Sequence, residues 1–375
     1  MNSRQRRRRK RESARQSRPL RQQVRSSWWK PDLHSVRDNL VANAVWVVLG
    51  VIITGIFGSV VLWRPFPQKG GMTPVDVIAY SAMTPSGRVE VFSVKTDGTR
   101  RTQLTAEGGT SPVWSPDGQR ILFQKGDPPN RDIFVMDSDG SPVRQLTRDP
   151  GDDASPSWSP DGAKIVFSST RGPTGTAEPR LYTMNSDGSR VTALTTSDGL
   201  GPNTGDRYPS WSPKGELIVF ARGVPNEASG GTAIFAIGPD GTGLSRLTAP
   251  GSPTGRAIAP RWSPDGSRIS FIHGYPCAGG AQIWTMNSRG DDVTALIEGE
   301  LPTEPDACSL GRPTWSPDGE RLLFELSFRY DCRTFAVCRG TGKEGLYTLS
   351  ADGKDLNYAP VDPDAADPDY RWATP

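Results

Sequence analysis

Two hydrophobic patterns divide the chain. Residues 40–63, LVANAVWVVLGVIITGIFGSVVLW, contain no charged side chain. Wound as an α-helix they would extend roughly 36 Å at about 1.5 Å per residue, enough to cross a hydrocarbon layer of about 30 Å with some tilt. A transmembrane helix is the expectation. A buried core helix of that length would show a polar stripe. A signal peptide would show a shorter apolar region and a small-residue cleavage site, whereas this segment runs straight into RPFPQKGG. From Val77 onward the pattern changes to short apolar or alternating runs separated by Gly, Pro and Asp, which is the signature of strands joined by turns.

Those runs repeat. Trp114, Trp158, Trp211, Trp262, Trp315 and Trp372 recur 44 to 57 residues apart, and the first five open the motifs WSPDG, WSPDG, WSPKG, WSPDG and WSPDG. After each of these comes an apolar run (ILF, IVF, IVF, ISF, LLF). A run rich in aromatic and aliphatic residues follows (IFVM, LYTM, IFAI, IWTM, LYTL), then a second Gly turn and, in most units, text such as RQLT or SRLT. Each unit therefore predicts four strands, A to D, with the Trp closing strand A. Pro-Asp-Gly and Ser-Asp-Gly are turn chemistry: Pro presets φ, Asp bonds the nearby backbone and Gly accepts positive φ. The A–B and C–D links are tight, whereas the B–C and D–A links carry the insertions. In an up-and-down sheet both inserted links fall at one end, so each blade has a smooth turn end and a decorated loop end.

A single four-stranded unit of this size cannot bury both faces, and radial stacking of such units gives a β-propeller. The first unit has strands B, C and D (VIAY, VEVFSV, TQLT) but no Trp strand, while the terminal YRWATP has strand A alone. Together they make one composite blade. The expected fold class is all-β: a six-bladed β-propeller of four-stranded antiparallel blades, closed by the C-terminal strand and preceded by one transmembrane helix. The expected organisation is a basic arm over 1–38, the helix over 39–63, a Pro/Gly linker over 64–75 and the propeller over 76–375.

The repeated WSPDG, the apolar strand after it, the IYVMD-like strand and the RLT ending resemble the TolB-like propeller repeat, over about residues 75 to 375. The resemblance implies a non-catalytic platform that binds a protein or a cell-envelope polymer. The chain departs from TolB in carrying a membrane segment and in leaving no room before the propeller for that protein's α/β domain.

Charge adds orientation. Residues 1–38 hold 13 Lys and Arg against 3 Asp and Glu, whereas the whole chain has 44 against 41, so a basic arm precedes an acidic body. Bases flanking a span stay in the cytoplasm. This places the N-terminus inside and the propeller outside a bacterial cytoplasmic membrane, held through residues 40–63. Nucleic acid is not expected as a partner, because the topogenic role accounts for the basic arm.

Catalytic residue types are scarce. His273, in FIHGYPC, is the one His of the body, and no Gly-x-Ser-x-Gly stretch is present. No cofactor is expected. Calcium is the ion that DSDG at 137–140 would suit, but the full twelve-residue loop is absent and GPDG, NSRG and SADG fill the same slot, as hairpin turns would. At the loop end the topology gathers Lys125, Asp153, Arg171, Asp206, Arg222, His273, Arg329 and Asp369, a candidate mixed-charge face for a ligand. A carbohydrate-active or hydrolase-associated propeller using the acidic loops is the alternative. Cys277, Cys308, Cys332 and Cys338 all fall in loop-end links outside the cytoplasm, where disulfides are favoured; the expected pairs are Cys332 with Cys338 and Cys277 with Cys308.

Overall fold

The computed structural model describes residues 77–172, 178–196, 204–225, 231–249, 256–274, 282–296, 309–327, 345–359 and 371–372. The expected basic arm, transmembrane helix, linker and all four cysteines lie outside the described residues, as do Arg329 and Asp369.

Six antiparallel sheets form the blades. The first comprises β1 (Val77–Met83), β2 (Val89–Lys95) and β3 (Thr102–Gln103). The second has β4 (Thr110–Trp114), β5 (Arg120–Lys125), β6 (Asp132–Asp137) and β7 (Val143–Gln145). The third has β8 (Asp153–Trp158), β9 (Lys164–Ser169), β10 (Arg180–Asn185) and β11 (Thr192–Ala193). The fourth has β12 (Asp206–Trp211), β13 (Ile218–Val224), β14 (Gly231–Ile237) and β15 (Ser245–Arg246), and the fifth β16 (Ala257–Trp262), β17 (Arg268–His273), β18 (Gln282–Asn287) and β19 (Thr294–Ala295). In the sixth, strand A is split into β20 (Ser309–Leu310) and β21 (Thr314–Trp315), both paired with β22 (Arg321–Ser327), before β23 (Gly345–Ser350) and β24 (Leu356–Tyr358). β25 (Arg371–Trp372) pairs with β1 through Ile78↔Trp372 and Ala79↔Arg371, so the C-terminal strand completes the first blade. This is the six-bladed, C-terminally closed propeller that the repeat predicts.

The Trp of each repeat explains why the motif recurs. Trp158 packs with Val113 and Leu122 of the preceding blade as well as Ile165 and Phe167 of its own, and its indole Nε1 donates to the Val113 carbonyl at 3.3 Å. Trp315 repeats this bond at a later junction, donating to the Arg261 carbonyl at 3.3 Å. The side chain is thus a wedge between blades. Its ring is also capped by a cation, Arg120 over Trp158 at 4.8 Å and Arg268 over Trp315 at 4.9 Å.

Turn chemistry accounts for the rest of the motif. Ser115 Oγ donates to Asp117 Oδ1 while accepting from the Arg120 amide, and the same arrangement recurs at Ser159, Ser263 and Ser316. At the other tight link, Gly140 has φ of 95° and a Cβ there would lie 2.7 Å from the Leu104 carbonyl oxygen of the preceding blade. Only Gly fits. The Thr of the RLT ending closes the sheet: the hydroxyls of Thr105, Thr147, Thr195 and Thr248 accept the amides of Val91, Ile133, Leu181 and Ile234, finishing the ladder where strand D stops.

Innermost strands carry one irregularity in common. β4, β8, β12 and β16 each have a β-bulge, with Ser111, Ser155, Tyr208 and Ala259 at φ of 53° to 58°. A bulge bends the strand and re-aims its side chains. In the sixth blade the interruption between β20 and β21 occupies the equivalent place and holds Arg312.

Candidate functional site

The loop end is built by a feature that repeats in every blade. Strands B and C place two aromatic residues directly opposite each other: Tyr80↔Phe92, Phe123↔Phe134, Phe167↔Tyr182, Phe220↔Phe235, Phe271↔Trp284 and Phe324↔Tyr347. Such cross-strand pairs stiffen a sheet. Two residues on, the next side chain of strand B on the same face reaches the loop end, and in four blades a cation or imidazole covers the aromatic pair there.

In the fourth blade that residue is Arg222. Its guanidinium lies 5.2 Å from the Phe220 ring centre and 5.4 Å from that of Phe235. Nε and Nη2 donate to the two carboxylate oxygens of Asp206 at 2.6 and 2.8 Å, and the Asp206 side chain is fully buried. The pairing follows from register, since Asp206 opens strand A opposite Arg222 on strand B. The third blade reaches the same result with a two-residue offset. Ser169 takes the register position opposite Asp153 and donates to it at 2.5 Å, while Arg171 stacks on Phe167 and Tyr182 and donates to Asp153 at 2.7 Å. Burial pushes the Asp153 carboxyl above its ordinary value, with Arg171 and Ser169 pulling the other way.

The remaining loop-end residues are arranged in the same fashion. Lys125 lies over Phe134 and donates to Glu107 at 2.9 Å. Arg131 grips Asp152 with Nε and Nη2 at 2.9 and 2.6 Å. His273 is buried, its ring centre 4.6 Å from that of Trp284, and burial holds its pKa below the ordinary value of 6.5. Of the eight candidate residues at this end, Asp153 meets Arg171 and Asp206 meets Arg222, each pair inside its own blade. No group of three or more His, Cys, Asp or Glu capable of holding a metal ion occurs among the described residues.

A second concavity lies at the turn end, where the sequence points only to smooth hairpins. The A–B turns and the strands leading into them enclose a cavity of about 460 Å³, walled by Trp114, Trp158, Trp211, Trp262 and Trp315 of all five WSPxG motifs. Pro116, Pro160, Pro213, Pro264 and Pro317 form its rim, with Pro160 and Pro264 exposed. Among the described residues the lining contains one charged side chain, Arg261. Toward the loop end from there, Arg312 crosses the channel. Its Nη1 and Nη2 lie 3.4 and 3.3 Å from the hydroxyls of Ser155 and Ser111, and its guanidinium stacks 5.0 Å from the Tyr208 ring. The signal for both arginines is in the sequence: Arg312 is the basic member of the column three residues before the Trp, and Arg261, with Arg371, of the column one residue before it.

Comparison with known proteins agrees with this geometry. Residues 75–249 match the TolB beta propeller domain. A crystal structure of TolB from Acinetobacter baumannii superposes with a TM-score of 0.62 at 20% identity, covering 80% of this chain and 67% of that one. A chain of a nidogen/laminin complex superposes with a TM-score of 0.55 at 13% identity over 79% and 98% of the two chains. Among curated relatives, an uncharacterized peptidase, YuxL of Bacillus subtilis, is 29% identical over 36% of this chain and 19% of its own length. An uncharacterized protein of Agrobacterium fabrum is 29% identical over 44% of this chain and 54% of its own. The chain thus matches between a fifth and about half of these relatives' length. Residues 75–249 thus resemble the TolB beta propeller domain, and the six four-stranded blades form the propeller fold seen in TolB.

Proposed function

We propose that the chain is a membrane-anchored, extracytoplasmic binding platform whose loop end holds a protein or cell-envelope ligand without transforming it. The observation that carries this reading is the commitment of the loop-end acids. A general acid must exchange a proton and a nucleophile must attack, and a carboxylate whose two oxygens are both engaged by a guanidinium fork is shielded from either role. Asp206 with Arg222 and Asp152 with Arg131 are of this kind. Paired residues of that sort brace the strand ends from which the inserted links depart, which suits a recognition surface. The occurrence of a similar fold in a nidogen/laminin complex is consistent with protein recognition by such a scaffold.

Anchoring rests on residues 40–63 and on the bases before them. Crosslinking of the full chain in cells, followed by mass spectrometry, should recover an envelope protein or polymer attached through loop-end residues. A polysaccharide turnover activity lost in His273→Ala would replace this reading with the carbohydrate-active one. A reporter fused after Pro375 should be active outside the cytoplasm, and cytoplasmic activity of that fusion would overturn the orientation.

A further inference from the structure

The turn-end cavity differs from the loop end in the state of its charge. Arg261 is 5% exposed. Its Nη1 donates to the carbonyl oxygens of Pro209 at 3.3 Å and Pro260 at 3.1 Å, but Nε and Nη2 are buried with no acceptor. A guanidinium cannot shed its proton to relieve this, so the unmet donors are a standing cost. Nothing in the strand fold demands it: the same column holds Val113, Ser157, Ser210 and Thr314 in four other blades, and Arg371 before Trp372 in the composite blade.

The unmet edge is chemically specific. Nε and Nη2 are the two donors that Arg222 turns on Asp206 and Arg131 on Asp152 in this same molecule. That edge matches the two oxygens of a carboxylate. The cavity that Arg261 lines presents indole and proline surfaces, has no carboxylate among its described lining residues, and at about 460 Å³ is within the range of about 300–1,000 Å³ common for small-ligand sites.

We propose that the turn-end cavity binds a small carboxylate with an apolar body, its carboxylate received by Nε and Nη2 of Arg261 and its apolar part by the indole wall. The site is independent of the loop-end platform and stands or falls separately from it.

The test is calorimetric titration of the full chain in lipid nanodiscs with 4-phenylbutyrate and with its uncharged analogue 4-phenylbutyramide. The carboxylate should bind, the amide at least tenfold more weakly, and Arg261→Met should lose at least tenfold in affinity for the carboxylate while its melting temperature stays level or rises. Because the two-ligand comparison uses the unaltered chain, it holds even if the variant folds poorly. Absence of binding by 4-phenylbutyrate, or equal affinity for the amide, would overturn the site. So would an Arg261→Met variant that is folded and binds the carboxylate undiminished.

Discussion

The two ends of the propeller differ in a way that residue counts conceal. The loop end is rich in charge, yet Asp152, Asp153, Asp206 and Glu107 each meet a cation within hydrogen-bonding distance, most of them half-buried or buried. The turn end is repetitive and nearly uncharged in its cavity, yet it holds the one guanidinium edge among the buried side chains of that lining with nothing to bind. Charge that is paired braces a structure; charge that is unpaired and buried has to be explained by something else. The difference separates where the molecule is diverse from where a cavity-lining guanidinium keeps two unmet donors.

This contrast is open to direct attack, beginning with the largest effect. Trp158→Ala removes a wedge shared by two blades and should cost about 3–5 kcal/mol, measured by urea unfolding of the chain. A loss below about 1 kcal/mol would mean the turn-end wall is not a blade junction. At the loop end, Arg222→Met strands the fully buried Asp206 carboxylate and should cost about 3 kcal/mol. The double variant with Asp206→Leu should recover much of it, and failure to recover would show that the arginine acts through its aromatic stacking instead. Gly140→Ala, outside both sites, should cost at least about 1–2 kcal/mol, because its positive φ strains Ala and the added Cβ meets the Leu104 carbonyl oxygen.

Acid should also distinguish the turn-end carboxylates from the buried Asp153. Hydrogen bonds from the neighbouring Ser hydroxyl hold the Asp161, Asp265 and Asp318 carboxyls below their ordinary 3.8, Asp265 at about 2. A depressed folded pKa gives stability that is present above the unfolded value and lost as pH falls through the folded one. Urea midpoints should therefore drop between about pH 4 and about pH 2, and Asp265→Asn should reduce that drop. Asp153, pushed upward by burial, contributes no such loss, so Asp153→Asn should leave the acid slope in place.

Much of the fold was legible because each repeat carries its own turns. WSPxG and SDG mark both tight links, and the unmatched strand A in YRWATP pointed to the composite blade. Even the Asp206–Arg222 pair was readable in principle, since an antiparallel hairpin sets the start of strand A against the end of strand B. What the repeat hid was state. The mere presence of acids in the loop-end links does not reveal that cross-strand aromatics hold an arginine over a buried carboxylate. Arg261 was in plain view in RWSPDG but looked like a tolerated variant of a repeat, because a column of Val, Ser, Ser, Arg, Thr and Arg gains meaning only when strand A is known to face a channel.

The most direct measurement is a paired thermal unfolding of Arg222→Met and Arg261→Met against the unaltered chain under one set of conditions. The expected result is opposite behaviour: a clear fall in melting temperature for Arg222→Met, and an unchanged or raised one for Arg261→Met. If both fall alike, Arg261 is a structural residue like its loop-end counterpart, and the contrast between a committed end and an available one is wrong.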